Sequence, residues 1–515
     1  MRQGFVDTDV EIWLTNEANP SKLFNQSKQG FFMRLMRRRT AVLMGLWLGI
    51  WLGTWSSLTL GQVQPSTIDW PQFEADAVKT LVDLIRLDTS QPGGNEHLAA
   101  NYLQQRLAAV GLESKTYAAV PGRESIVARI KGNGSKRPLL LLGHTDVVTV
   151  EPKNWTFDPF SGAVEGGKIY GRGAADDKGI VAVAFEVLLA LHRYQVPLDR
   201  DVIFLGVADE EGGGGLGITY LIENHLAAIE AEFALNEGGR GSIDPATGNY
   251  LSFEIGTAEK TPRRVKLIAH GRAGHGSVPT RDNPVGVLSR AVGRLFDTPL
   301  PMRLNETTST FFQRLAATRP ELEAQIYRDI LAPQPSLEAQ ERLRDLNATY
   351  FSMIRTSVVP TIFQGGYQRN VIPSSAEAVL DIRALPGEDP ESLLEALHNI
   401  MQEPAVEIIP MAVTRPAHPP AALNTEMFSA FETVIADRHP EAVVLPSLLT
   451  GATDSAQLRS VGIATYGFGP GIVMGDDNGV HGNDEFLRVE AYTEYLRLLW
   501  NLVLQVAATP VNQAD

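Results

Sequence analysis

His144, Asp146, Asp176, Glu210, Glu211, Glu237 and His481 have the side-chain types and local settings that metal-assisted hydrolysis needs. They occur in "GHTDVV" (143–148), "GRGAADDKG" (171–179), "GVADEEGG" (206–213), "NEGG" (236–239) and "HGNDE" (481–485). His144, Asp176, Glu211, Glu237 and His481 each lie in a loop after an apolar strand or in a Gly-rich turn, which makes them candidate metal ligands. Two imidazoles and three carboxylates fit one tetrahedral zinc poorly and fit two ions sharing a carboxylate well. The chain has no cysteine, so disulfides and thiolate ligands are excluded. Taken singly, each residue has a plainer role. His144 would be a satisfied turn histidine, Glu210 and Glu211 a solvated turn, and Asp176 or Asp177 the cap of a helix starting near Lys178. It is the set that points to catalysis.

The elements that must position these residues follow from hydrophobic periodicity. "WPQFEADAVKTLVDLIRL" and "NEHLAANYLQQRLAAVGL" read as amphipathic helices, the second stopped by Gly111. Strands "SIVARI", "PLLLLGHTDVV", "DVIFLGVADEE" and "FALNEGG" then alternate with helices at 178–194 and "GITYLIENHL". Near-continuous apolar strands alternating with helices predict an α/β fold, a parallel-rich sheet with helices on both faces. Such sheets bind ligands beyond the carboxyl ends of their strands, where the His and acidic residues fall.

From about residue 260 the rhythm becomes β-α-β-β-α-β, a ferredoxin-like order. An extra segment rich in helix formers and prolines, about 300–350, lies between its first helix and second strand. Beyond 417 the first pattern resumes and closes with a helix from Val489 to Val506. The expected organisation is therefore a preface (1–61), a catalytic domain in two parts (62–259 and 418–515), and an inserted α+β lid (260–417).

The 515 residues are too many for one ordinary core, and 44% hydrophobic with 20% charged residues argues against wholesale disorder. The formal charge of −15 makes a nucleic-acid partner a poor fit. "MRLMRRRT" (33–40) precedes twenty uncharged, mostly apolar residues (41–60). This segment reads either as a secretory signal cut before Gln62 or as a signal anchor; both place the rest of the chain outside the cytoplasm, periplasmic, secreted or membrane-tethered.

"GHTDVV", "GRGAADDKG", "ADEEGG", "NEGG", "GHGSVP", "GGYQRNVIP", "DIR", "GATD" and "HGNDE" occur in an order that resembles the dizinc metallopeptidase family of aminoacylases, glutamate carboxypeptidase and succinyl-diaminopimelate desuccinylase, over about residues 70–505. "DPFSGAVEGGKIYGRGAADDKG" and the extra lid segment are closest to its carboxypeptidase S branch. The resemblance implies a zinc-exopeptidase-like catalytic domain, two Zn2+ (with Co2+ or Mn2+ as substitutes), and cleavage of the amide bond of short peptides or N-acyl amino acids next to a free carboxylate.

By motif, His144, Asp176 and Glu237 would hold one zinc and Asp176, Glu211 and His481 the other, with a cis Asp176–Asp177 peptide. Asp146 would accept a hydrogen bond from His144 and fix its tautomer, and Glu210 would be the general base. His275 would donate to the tetrahedral oxyanion from a partner subunit, through a lid-domain homodimer. Asn370 and Arg383 would bind substrate, the guanidinium clamping its carboxylate; Arg415, Gly451 and Thr453 are further candidates for this task. The alternatives are an aminopeptidase of the same family and an inactive binding module. The Asn370/Arg383 pair argues against the first and the complete ligand set against the second.

Overall fold

Leu139–His144 and Val202–Val207 are buried along their whole length, as strands covered on both faces must be. The computed structural model describes residues 68–509, which lie in one compact unit, Gln62–Asp515. The basic and apolar stretch at 33–60 is outside the described residues. Among those described, no helix is long and apolar enough to cross a membrane.

Among the described residues, the main sheet has ten strands. In spatial order they are Ser114–Ala118, Glu124–Ile130, Val202–Val207, Leu139–His144, Phe233–Asn236, Ala464–Gly467, Tyr250–Glu259, Arg240–Ile243 and Ile472–Val473, with Val443–Leu449 also paired to Tyr250–Glu259. The four strands from Val202–Val207 to Ala464–Gly467 run parallel. The first two strands of the order join antiparallel at the edge. In register, His144 is opposite Val207, so the acidic residues 209–211 project beyond the sheet beside it.

Helix Lys178–Arg193 is buried from Lys178 to Leu191. It is apolar on nearly every face because it sits between the sheet and the helices Trp70–Ile85 and Val489–Ala507. The expected helix at 217–226 instead opens as a wide turn over Gly215–Thr219 and continues as Tyr220–Ile229, kinked where the His225 backbone leaves the helical region.

A second sheet begins where the chain leaves Glu259. Its main strands stand in the order Val406–Pro410, Val265–His270, Ser375–Ala384, Ser357–Gly365, all antiparallel. This is the ferredoxin-like arrangement, with helices Pro284–Asp297 and Pro390–Met401 over one face. Each helix starts with an Asn or Asp cap followed by proline, Asn283–Pro284 and Asp389–Pro390.

The extra segment folds into helices Glu306–Thr318, Glu321–Ile330, Leu337–Leu346 and Ala348–Met353. Its apolar residues, including Phe311, Phe312, Tyr327 and Leu343, share a core with Ala258, Leu445 and Leu448 of the main sheet. It is therefore docked on the catalytic part of the chain and leaves the edge strand Ser357–Gly365 exposed.

Candidate metal centre

The carboxyl ends of neighbouring strands bring three of the acidic clusters to one rim: His144 ends its strand, Glu210 and Glu211 follow Val207, and Glu237 follows Asn236. Gly143, one residue before the ligand, is required by close approach, since a Cβ there would lie 2.6 Å from Asp177 Oδ2. Two further loops must reach the same rim, those carrying Asp176 and His481. A small sheet joins them. Ala163–Glu165 and Lys168–Tyr170 form a hairpin whose second strand pairs antiparallel with Phe486–Arg488, so the loops after Tyr170 and before Phe486 lie side by side.

Glu485 ties these loops together. Its carboxylate accepts from the backbone N–H of Gly173 (3.0 Å), Ala175 (2.8 Å) and Asp176 (3.0 Å) and from Arg172 Nη1 (2.6 Å), with both charged groups buried. Burying an ion pair is tolerable when the carboxylate's remaining hydrogen-bonding capacity is filled in this way. The Asp176–Asp177 peptide is cis.

Asp176 then presents one oxygen to each imidazole. Its Oδ1 is 2.9 Å from His144 Nε2 and its Oδ2 is 3.1 Å from His481 Nε2. Glu211 Oε1 lies 3.0 Å from His481 Nε2, and Glu237 Oε1 lies 3.8 Å from His144 Nε2. The two expected ligand sets thus meet at Asp176. Donor atoms of His144, Asp176 and Glu211 lie within 4.8 Å of one another, as do those of His144, Glu210 and Glu237. His481 and Asp209 are non-glycine residues in left-handed backbone (φ 59° and 66°), a costly conformation that clusters at functional loops.

The electrostatics fit cations. Burial pushes the Glu237 carboxyl well above the usual carboxylate range, and the nearby Glu210 and Asp176 push it further. Burial likewise raises Glu210 to about 8, against the pull of Arg415. So many carboxylates around two imidazoles are in excess of local positive charge, and divalent ions are what such an oxygen- and imidazole-rich donor set accepts.

The residues around the ligands differ from expectation at two points. His144 Nδ1 bonds to the backbone carbonyl of Asp146 at 2.9 Å, while the Asp146 carboxylate is 3.6 Å away. The consequence for the tautomer survives, because a carbonyl can only accept, and Nε2 is left facing Asp176 and Glu237. The Asp146 carboxylate instead accepts from the backbone N–H of Glu210 (3.0 Å) and Glu211 (3.1 Å) and from Gln91 Nε2 (2.8 Å). It fixes the turn that sends one glutamate toward the ligands and the other beside them. Asp177 stands at the start of helix Lys178–Arg193 without capping it by its side chain; its Oδ2 accepts from the His144 backbone N–H at 3.2 Å.

Arg415 is buried. Its Nη2 donates to the Glu210 carboxylate and, at 2.9 Å, to the Glu210 carbonyl, while Nη1 donates to Asp454 at 2.6 Å and to Gln457 at 3.1 Å. It holds Glu210 in place. Thr453 is also buried and donates to Glu259, and Gly451 is half-buried in the same loop.

The inserted domain carries its candidates apart from this rim. Gly274–His275 pairs with Val371–Ile372, and Gly276 N–H donates to Asn370 O at 2.7 Å, so His275 and Asn370 stand together on an exposed surface. His275 Nδ1 bonds to Ser277 Oγ at 2.7 Å. Arg383 donates twice to Asp381, at 2.9 and 3.1 Å. Among the described residues, no hydrogen bond or ion pair joins His275, Asn370 or Arg383 to the ligand rim.

Sequence reasoning missed Glu485, Arg172 and Gln91. The double glycine of "VEGGKIY" between short alternating runs signalled the hairpin that positions the first two. Gln91 carried no signal.

Fold and rim together define a two-part molecule: a parallel-stranded domain whose rim gathers candidate metal ligands, interrupted by a ferredoxin-like domain. Residues 140–505 match the model of peptidase family M20/M25/M40. The chain belongs to that family and is a metal-dependent enzyme that hydrolyses amide bonds. It is 28% identical over 398 residues to probable carboxypeptidase S-like 2 of Dictyostelium discoideum (74% of each chain). It is 29% identical over 377 residues to the Homo sapiens N-fatty-acyl-amino acid synthase/hydrolase PM20D1 (72% of this chain, 74% of the other).

Among solved structures, the M20 family metallo-carboxypeptidase Sso-CP2 from Sulfolobus solfataricus shares the fold with a TM-score of 0.62 at 20% identity (84% of this chain, 99% of the other). A Bacillus subtilis protein described as a dinuclear metal-binding peptidase of the M20 family, YXEP, shares it with a TM-score of 0.55 at 15% identity (84% and 98%).

Proposed function

We propose that this chain is an exported dizinc hydrolase that cleaves short peptides or N-acyl amino acids at the amide bond next to a free carboxylate. The observation that carries the reading is Asp176, with one carboxylate oxygen toward each imidazole, at the meeting point of His144 and Glu237 on one side and Glu211 and His481 on the other. Zn2+, with Co2+ or Mn2+ as substitutes, suits these donors; bound there it supplies Lewis-acid polarisation of the scissile carbonyl and of the attacking water.

The chain's own groups do the rest. Glu210, held by Arg415 and by the Asp146 carboxylate beneath its backbone N–H, takes a proton from the attacking water on its carboxylate and passes it to the leaving amine. The tautomer of His144 is fixed through Nδ1, and the loop bearing Asp176 is held by Glu485.

Arg383 reads the substrate carboxylate by exchanging it for Asp381, with Asn370 nearby in the same domain. The relatives' names support this choice, since an S-type carboxypeptidase and an N-acyl-amino acid hydrolase act at such a bond. A second copy of the chain supplies His275 to the oxyanion. The exposed edge strand Ser357–Gly365, with Val359, Ile362 and Phe363 on its surface, supports pairing between copies through this domain. The membrane is met only through the N-terminal segment, and the negative charge leaves nucleic acid out. Assay of zinc-loaded protein on N-blocked dipeptides, N-acyl amino acids and their C-terminal amides tests the reading. Turnover of the free acids with refusal of the amides supports it; preference for a free α-amine and cleavage of the amides would show an aminopeptidase.

A further inference from the structure

A cleft of about 400 Å³ opens from the ligand rim, with Asp176 and Glu237 in its wall. One side is the catalytic part of the chain, through Ile180, Leu449, Ile472 and Leu487. The other side is the extra helical segment, through Thr349, Tyr350 and Met353. We infer that this cleft binds the group on the acyl side of the scissile bond, that it prefers an apolar group, and that the helix Ala348–Met353 sets the size it accepts.

The inference rests on the carboxylate-side reading above. Asn370, Arg383 and His275, the groups assigned to the substrate's carboxylate and oxyanion, take no part in the cleft's walls. A substrate whose amide lies at the rim and whose carboxylate points to the inserted domain sends its remaining portion here. Away from the rim the lining combines aliphatic side chains with uncharged polar ones such as Ser447, Thr450 and Asn478, and the aliphatic part disfavours a charged group that would lose its hydration. Arg240 and Glu254 also reach the cleft, but they are cross-strand neighbours of opposite charge and add no net charge.

The helix is fixed well enough to act as a wall. Asn347 caps it by accepting from the backbone N–H of Thr349 and Tyr350. The Tyr350 ring meets Phe311 edge-on at 5.1 Å, and Met353 is buried in the core that joins the segment to the main sheet. Pocket walls fixed in this way discriminate ligands by the apolar area they cover.

The test uses Thr349→Trp, at an exposed helical position where a large side chain enters the cleft without disturbing the core, and Tyr350→Ala, which widens it. Zinc-loaded wild type and variants are assayed on N-acetyl, N-hexanoyl and N-decanoyl derivatives of one amino acid. Wild type is expected to favour the longer chains. Thr349→Trp is expected to raise KM for the N-decanoyl substrate by about tenfold while changing kcat/KM for the N-acetyl substrate by less than about twofold. Equal loss on all three substrates, or no change on any, with a folded Thr349→Trp protein overturns the inference while leaving the carboxylate-side reading intact. Failure of wild type to cleave any of the three overturns the inference, and failure on N-blocked dipeptides as well overturns that reading with it. Tyr350→Ala, if folded, should relax the preference in the opposite sense, and an unchanged chain-length profile counts against the inference.

Discussion

Asp146 and Arg383 are both charged residues on or just beyond strands, yet their surroundings are opposite. Asp146 is fully buried, and its two oxygens are filled by the N–H groups of Glu210 and Glu211 and by Gln91. Arg383 is half-buried and bonded to Asp381, two residues away on its own strand. The same contrast runs through the two regions to which they belong. At the rim, Glu485, Arg172 and Arg415 are buried and bonded to backbone as well as to side chains, and the buried Asp177 accepts from the His144 backbone N–H, so ligand positions are set before anything binds. On the inserted domain, His275 and Asn370 are exposed, and Arg383 is satisfied locally by Asp381, which in the proposed role it exchanges for the substrate carboxylate. A catalytic centre gains from preorganisation, whereas a substrate-reading surface must exchange partners.

The contrast can be broken most severely at Glu210. Glu210→Gln keeps the shape and the bond to Arg415 but cannot take a proton, so kcat should fall by about 10²- to 10⁴-fold with bound metal retained. Steady-state kinetics paired with metal analysis checks both halves, and full activity would remove Glu210 from the base role. Next in size is Glu485→Leu, which leaves the guanidinium of Arg172 buried without its partner and frees three N–H groups of the Asp176 loop. A loss of about 3–5 kcal/mol is expected in chemical denaturation, together with weaker metal binding. A change near zero would mean that the loop is held by other contacts.

Arg383→Ala addresses the exposed region and should leave stability nearly unchanged. Its effect should appear as a drop of about ten- to a hundredfold in kcat/KM for substrates with a free carboxylate, and little change for their amides. An equal drop on both would show that Arg383 acts structurally.

The same contrast governs what could be read from sequence. Apolar runs ending in His144 and in Asp209 to Glu211 marked the sheet and the rim, because a strand buried on both faces leaves a continuous hydrophobic record. The βαββαβ order was legible because its helices carry Asn-Pro and Asp-Pro starts and Ser375–Ala384 alternates strictly between half-buried and buried positions. Strand Tyr250–Glu259 was missed, since Glu254, Thr257 and Glu259 interrupt its apolar run, although most of the strand is buried.

The atom of Asp146 that accepts from His144 was misjudged for a different reason. Side-chain types suggest a carboxylate, and a backbone carbonyl leaves no mark in a sequence. Glu485 resembled a loop acid, because its burial depends on Arg172, 313 residues earlier. The docking of the helical segment on the main sheet was equally invisible, since periodicity gives the apolar face of a helix and not the surface it covers.

In the proposed site two metal positions share Asp176. Metal content per chain, measured by mass spectrometry after zinc loading and removal of excess metal, tests it most directly when wild type is compared with Asp176→Ala. About two equivalents are expected in wild type and less than about one in the variant, because the bridge serves both positions. One equivalent in wild type, or two in folded Asp176→Ala, would contradict it.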